Sequence, residues 1–386
     1  MFASSPLRWI ARRLRRSQPA GATSGRWYKP NVELLEDRFV PAPWTINDLT
    51  TVNATALVKD LIGPGVSFSN VSYTGAPKAA GIFTDTDNAT GISAGVTLSS
   101  GGAKGLPGPN NNPAYSIPIN NTPGDPQLNA IVAPNPGFDA AVLQFDFVPT
   151  GSILSFKYVF GSEEYPNFAP PNITLFNDVF AFFLNGKNVA LVPGTNTPVS
   201  IDNINAVTNA QYYVNNYTNP AGPLFGPLDT QMNAFTKVLP VTVSVVPGQT
   251  NHIKLAIENV GDQIFDSWVL IQAGSFGAVS IHTYTPLRYD YNPATHLYTG
   301  NVTVTNSGTL GLSGQLYLVF EALPPGVTLV NATGHSPSGF PYIPLPSNGL
   351  NADTTVRVFI EFKDPLNVDL GTFFEHDPID LLLKLP

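Results

Sequence analysis

Between Phe138 and Phe276 the chain repeats one pattern, and that pattern leaves few folds open. Strand-length apolar runs follow one another: FDAAVLQFDFVP, SILSFKYVFG, NDVFAFFLNG, NVALVPG, KVLPVTVSVVPG, HIKLAIENVG and DSWVLIQAGSF. Each closes on Gly, Pro, Asn or a polar turn, and within most of them the apolar side chains recur at every second position. A two-residue period with breaks at these intervals specifies strands of packed sheets. Composition agrees. Charged residues make up 12% of the chain, about half the ~25% usual for soluble domains. The 37 Pro and 33 Gly supply turns, and the 24 Phe and 14 Tyr favour strands.

At 386 residues there is room for more than one domain. Residues 1–42 read as a disordered basic tail ending in VELLEDRFVPA. The segment RWIARRLRRS has the basic start of a signal peptide without the apolar stretch that should follow. A helix is expected near 47–62, NDLTTVNATALVKDLI, where Leu49, Val52, Ala56, Leu57 and Leu61 fall on one face. Asn47 or Asp48 would start it and Gly63-Pro64 would stop it. Residues 101–137 read mostly as one long loop, a length that is often functional. A first domain is placed at 43–278. From 281 to 386 a new strand rhythm begins with NVTVTNSG, QLYLVFEAL and TVRVFIEF, which argues for an immunoglobulin-like sandwich. The expected fold class is all-β: a β-sandwich with one N-terminal helix and long loops, followed by an immunoglobulin-like β-sandwich. The chain ends just after the apolar strand DLLLKL, so the N-terminal motif is the expected sorting or attachment element.

Charge is unevenly placed. Residues 1–38 carry eight Arg or Lys against three Asp or Glu, leaving 11 against 24 in the rest of a chain with 19 and 27. An acidic body repels nucleic acid, so no nucleic-acid partner is expected. No run of 18 apolar residues spans a membrane. There is no Cys, hence no disulfide, thiol chemistry or Cys-ligated metal.

Several blocks carry a resemblance. They are ALVKDLIGPGVSFSNVSYTG, GISAGVTLSSG, GDPQLNAI, FDAAVLQFDFVPTGSILSFKYVFGSEEYPNF, FNDVFAFFLNG and PGQTNHIKLAIENVGDQIFDSWVLIQAGSF. Together they resemble the choice-of-anchor L family of exported bacterial surface proteins. The match implies an exported, cell-surface or extracellular β-rich protein. Leu35, Glu36, Asp37, Arg38 and Val40-Pro41-Ala42 are similar to the short LExR-type motif of exported planctomycete proteins.

Acidic residues in a chain so poor in charge need a reason. Glu163 and Glu164 lie between aromatic runs, with Asn177 and Asp178 nearby in sequence; the GDQIFDS turn adds Asp262 and Asp266. As a glycosidase pair the adjacent glutamates fail, because acid and partner must flank the scissile bond some ~5–10 Å apart. Ca²⁺ takes six to eight oxygens from carboxylates, amides and carbonyls, which makes Glu163, Glu164, Asn177, Asp178 and Asp266 candidate metal ligands. The bland alternative gives these side chains to turn capping. Asp85-Thr86-Asp87-Asn88 reads as a turn. The Tyr- and Asn-rich stretch 211–235 reads as a loop packed on its own sandwich, or as a recognition loop. The five His stand apart, with no HExxH and no GxSxG. The expected function is non-enzymatic and adhesive or structural, with a cell-envelope component or an extracellular glycan or protein as partner. Alternatives are a calcium-dependent carbohydrate-binding module and a hydrolase using Glu163 or Glu164.

Overall fold

A computed structural model of the chain describes residues 44–382 except 120–121, 223–224, 287, 309, 337–338 and 375–378. The expected basic tail and its motif, residues 1–42, lie outside the described residues.

The first strands in chain order are β1 (Trp44–Asp48), β2 (Val66–Thr74), β3 (Ala80–Asp85) and β4 (Ala94–Ser99). Three long or central strands and a short one follow: β5 (Gly137–Pro149), β6 (Ile153–Ser162), β7 (Val179–Leu184) and the short β8 (Lys187–Asn188). Then come β9 (Tyr213–Asn215), β10 (Ala234–Thr236), β11 (Leu239–Ser244), β12 (Asn251–Val260), β13 (Ser267–Gln272) and β14 (Gly277–Val279). One sheet runs β1-β3-β4-β13-β6-β10-β9, with β11 and β14 also pairing β6; the other runs β2-β5-β12-β7-β8.

The two-residue period explains the packing. Phe156, Tyr158 and Phe160 of β6 face Phe180 and Phe182 of β7 at ring distances of 4.9–5.2 Å. Phe276 stands at the centre of the seam, 5.2–5.3 Å from the rings of Phe145, Phe147 and Phe156. The alternate side chains of β5, β7 and β12, among them Val142, Ala181, Phe183 and Ala256, form a second layer on the outer face. Leu128 and Val132, from the helix Pro126–Val132, cover that layer.

The two helices of the first sandwich depart from expectation. Residues 44–48 form a strand paired with β3, Trp44 opposite Asp85. Only α1 (Ala54–Leu61) is helical, because the Asn53 side chain, not Asn47 or Asp48, accepts the Ala56 N–H at its start. Leu49 and Val52 still pack on the core, but from a turn. Helix α2 (Pro126–Val132) interrupts the expected 101–137 loop. Asp125 caps it by accepting from Gln127 and Leu128, and Pro126 fills its first position. The expected strand at NVALVPG reduces to β8 and a single bridge between Leu191 and Pro198.

Beyond residue 280 the described residues are almost all β, with one short helix, α3 (Leu370–Phe374). The strands are β15 (Ile281–Tyr284), β16 (Asp290–Asn292), β17 (Leu297–Asn306), β18 (Leu312–Ser313), β19 (Tyr317–Phe320) and β20 (Thr328–Leu329). They continue with β21 (Gly334–His335), β22 (Pro341–Pro344), β23 (Gly349–Leu350), β24 (Thr354–Lys363) and β25 (Ile379–Leu382). A sheet β15-β17-β24-β20, with β16 on β17, accompanies a sheet β21-β22-β19-β25 and the pair β18-β23. Val302, Val304, Leu318, Phe320, Val358, Ile360 and Phe362 fill one core, to which Ile153 and Val279 also contribute. Among the described residues no helix is long and apolar enough to cross a membrane.

Candidate functional site

Four strand ends meet at one end of the first sandwich. β6 stops at Ser162, opposite Ser267 at the start of β13. β12 ends at Val260, beside Val179 at the start of β7, where Glu258 pairs with Val179. The segments just past these ends carry Glu163 and Glu164, Asn177 and Asp178, and Asp262 and Asp266.

Asp178 ties the two sheets together. Its carboxylate accepts the Val260 N–H at 2.8 Å and the Ser267 hydroxyl at 2.6 Å. Asp266 does the same for the long loop: Ser116 Oγ–H and the Ile117 N–H each donate to it at 2.8 Å. The adjacent glutamates sit in the turn after β6, where the Glu164 N–H donates to Ser162 Oγ. The Phe168 ring meets Phe176 edge-on at 5.5 Å and Phe265 at a tilt at 5.0 Å, and so joins the loops that bear these acids. Phe265 has φ 63°, a left-handed conformation that costs a bulky residue on the order of 1–3 kcal/mol.

Glu163, Glu164, Asp178 and Asp266 are each only 1% exposed. Neither oxygen of Glu163 has a hydrogen-bond partner, and Glu164 Oε2 has none. The Tyr115 N–H lies close enough to favour the charged form of Glu163 slightly, yet not at hydrogen-bonding geometry. Burial, reinforced by Asp266, pushes the Glu163 carboxyl well above the usual range. Burial, then Asp178, Asp262 and Glu163, pushes Glu164 upward too. Asp178 is raised by burial despite its two donors. Asp266 is raised to about 6, burial outweighing its bonds from Ile117, Ser116 and Gly102. Asn259, one residue before the Val260 N–H that Asp178 accepts, is 1% exposed with neither amide atom paired.

The candidate residues thus divide. Glu163, Glu164, Asp178 and Asp266 come together; Asn177 is half-buried and its Oδ1 accepts the Asp202 N–H at 2.9 Å, as a turn-capping group would. Asp262 likewise accepts the Ile264 N–H, though its charge still acts on Glu164 and Asp178. Asp139, whose charge acts on Asp266, joins from β5. Nothing in local sequence marked it: Asp139 lies where the register of β5 against β12 shifts, far from Asp266 in the chain. Among the described residues, no three carboxylate or imidazole groups converge with metal-holding geometry. Burial also withholds Glu163 and Glu164 from a polymeric substrate.

The other marked segments resolve into packing. The Asp85 carboxylate accepts the N–H groups of Asp87 and Ala89, which makes DTDN a capped turn. His252 lies on β12 and pairs with Asp146 at 2.8 Å. In the 211–235 stretch, buried Asn216 donates to the carbonyls of Leu228, Thr230 and Met232 and accepts from the Leu228 N–H. Asn110 donates to Asn216 O and Asn233 Oδ1, and Asn233 donates to Pro113 O and Glu163 O. This amide cluster clips the 101–117 and 213–235 loops to the turn that bears the glutamates.

A match to the choice-of-anchor L domain spans residues 45–277. The chain belongs to the choice-of-anchor L family, a class of surface-associated domains that is not a known enzyme family. No curated protein matches it in sequence. The likenesses to solved structures include three that are faint. A β-glucosidase from Kluyveromyces marxianus is 7% identical over 64% of this chain and 42% of its own, with TM-score 0.18. Bacteroides uniformis β-glucuronidase 2 is 13% identical over 57% of this chain and 21% of its own, at 0.14. Red sea bream transglutaminase is 7% identical over 58% and 24%, at 0.15. The chain spans less than half the length of each, and at these TM-scores the likenesses carry no argument.

Proposed function

We propose that this is an exported protein displayed at the cell surface, with an adhesive or structural role and a cell-envelope or extracellular glycan or protein as its partner. The observation that carries the reading is the choice-of-anchor L match over residues 45–277. In this reading the β-rich segment 281–386 is an immunoglobulin-like spacer, and residues 1–42 serve sorting or attachment through LEDRFVPA. The acidic body suits life outside the cell, where net charge keeps a surface protein from non-specific association.

Cell fractionation and protease shaving test the proposal on cells expressing the full chain and a chain lacking residues 1–42. The expected result is surface exposure of the first and internal retention of the second. Equal display of both forms removes the role given to the tail. Retention of both in the cytoplasm overturns surface display.

A further inference from the structure

We propose that the end of the first sandwich binds a divalent cation, with Ca²⁺ the best fit, seated against the unpartnered carboxylate of Glu163 and that of Glu164 and backed by Asp178 and Asp266. The proposal is independent of where the protein is displayed.

The geometry carries it. Glu163 is 1% exposed and both of its oxygens lack a partner. A buried carboxylate without donors costs several kcal/mol, and such groups persist only when paired, protonated or bound to an ion. Among the described residues no counter-cation is supplied: neither of the two ion pairs made by Lys in the first sandwich, Lys104–Asp48 and Lys254–Asp125, involves these four acids. The neighbouring groups are oxygen-rich. Asp178 and Asp266 are held in place by Val260, Ser267, Ser116 and Ile117, so their positions are fixed by the fold rather than by one another. The Glu163 carbonyl oxygen is engaged by Asn233, which fixes the turn itself. No three carboxylates converge here. The ion would therefore be held by the two glutamates and completed by backbone carbonyls and water, as Ca²⁺ with its six to eight oxygens allows. Mg²⁺, which demands a tight octahedron and sheds water reluctantly, fits a site of this kind less well.

Tb³⁺ replaces Ca²⁺ at oxygen sites and emits when a nearby aromatic ring absorbs. Trp268 follows Ser267 directly, and Tyr115 senses the charge of both Glu163 and Asp266. The full chain titrated with Tb³⁺ at pH 7 should therefore give sensitised emission that excess CaCl₂ abolishes and MgCl₂ barely changes. E163Q should lose that emission. Equilibrium dialysis of the wild-type chain against CaCl₂ decides the matter even if E163Q does not fold: one ion per chain is expected, and a Tm rise of about 5 °C at a hundredfold excess over Kd. Absence of bound Ca²⁺ together with a melting curve indifferent to Ca²⁺ and EDTA overturns the proposal and leaves these acids as buried, protonated groups. Emission that persists unchanged in both E163Q and E164Q places the ion elsewhere and overturns it equally.

Discussion

The Asp266 carboxylate occupies the place that a side chain on Gly101 would need: a Cβ built there falls 2.0 Å from Asp266 Cγ and Oδ2. The aspartate cannot swing aside freely, because Ser116 and Ile117 hold both of its oxygens. Gly101→Ala should therefore force Asp266 off its donors and destabilise the fold by about 1–3 kcal/mol. Urea unfolding monitored by Trp fluorescence measures it. A change within ~0.5 kcal/mol would show that the loop yields without cost.

Phe276 offers the simplest test of the sandwich itself. Its fully buried ring meets three others across the seam. Phe276→Ala should cost about 3–5 kcal/mol, while Phe276→Leu should cost appreciably less. Equal losses for the two variants would mean that ring volume is not what the seam requires.

The amide clip predicts an asymmetry between two small changes. Asn216 donates to three carbonyls from a fully buried position. Asn216→Asp replaces a donor by an acceptor facing acceptors, and should destabilise by 3 kcal/mol or more on the order-of-magnitude scale for a buried unpaired charge. Asn216→Ala removes the donor without adding repulsion and should cost less. Thermal melts of both variants rank them, and the reverse ranking refutes the assignment.

Glu258 should make stability fall as pH rises. Its carboxyl is raised from 4.5 to about 8, first by burial and next, against the bond from the Asp125 N–H, by the Asp125 charge; Lys254 opposes the rise. The unfolded chain gives up this proton near 4.5 and the folded chain near 8. Between those values the folded state holds the extra proton, so its stability declines across that window and levels above it, by an amount on the order of 4 kcal/mol. Glu258→Gln keeps an acceptor for Asp125 and removes the titration. The variant should melt with a clearly shallower decline from pH 5 to 8 than the wild type, the remaining slope belonging to other raised carboxyls such as Asp266. Parallel slopes in the two proteins would assign the decline to another group.

Six long strands could be read directly from sequence, because side chains facing the seam, such as Phe156, Tyr158 and Phe160, alternate with residues facing outward. The start of α1 could not. Leu49 and Val52 fall at helical spacing, yet they reach the core from a turn, and the pairing of Trp44 with Asp85 is a contact between residues far apart in the chain. Helix α2 did leave a local trace in Asp125-Pro126, a cap followed by proline at the first position, but seven residues carry too little periodicity to stand out inside a long polar segment. The site shows the same division. Two adjacent glutamates in a charge-poor chain drew notice by themselves. That Asp178 would reach Ser267 across the sandwich, that Asn177 would turn to Asp202, and that the charge of Asp139 would be felt at Asp266 depends on strand pairing that no short window contains.

The side-chain amides of Asn110, Asn216 and Asn233 have one more consequence. They do for the 101–117 and 213–235 loops what covalent staples do in many exported domains, and they do it in a chain without Cys. Nothing in this clip responds to thiols or oxidants. The loops keep their arrangement in a reducing or an oxidising medium alike, and need no oxidative folding machinery to reach it.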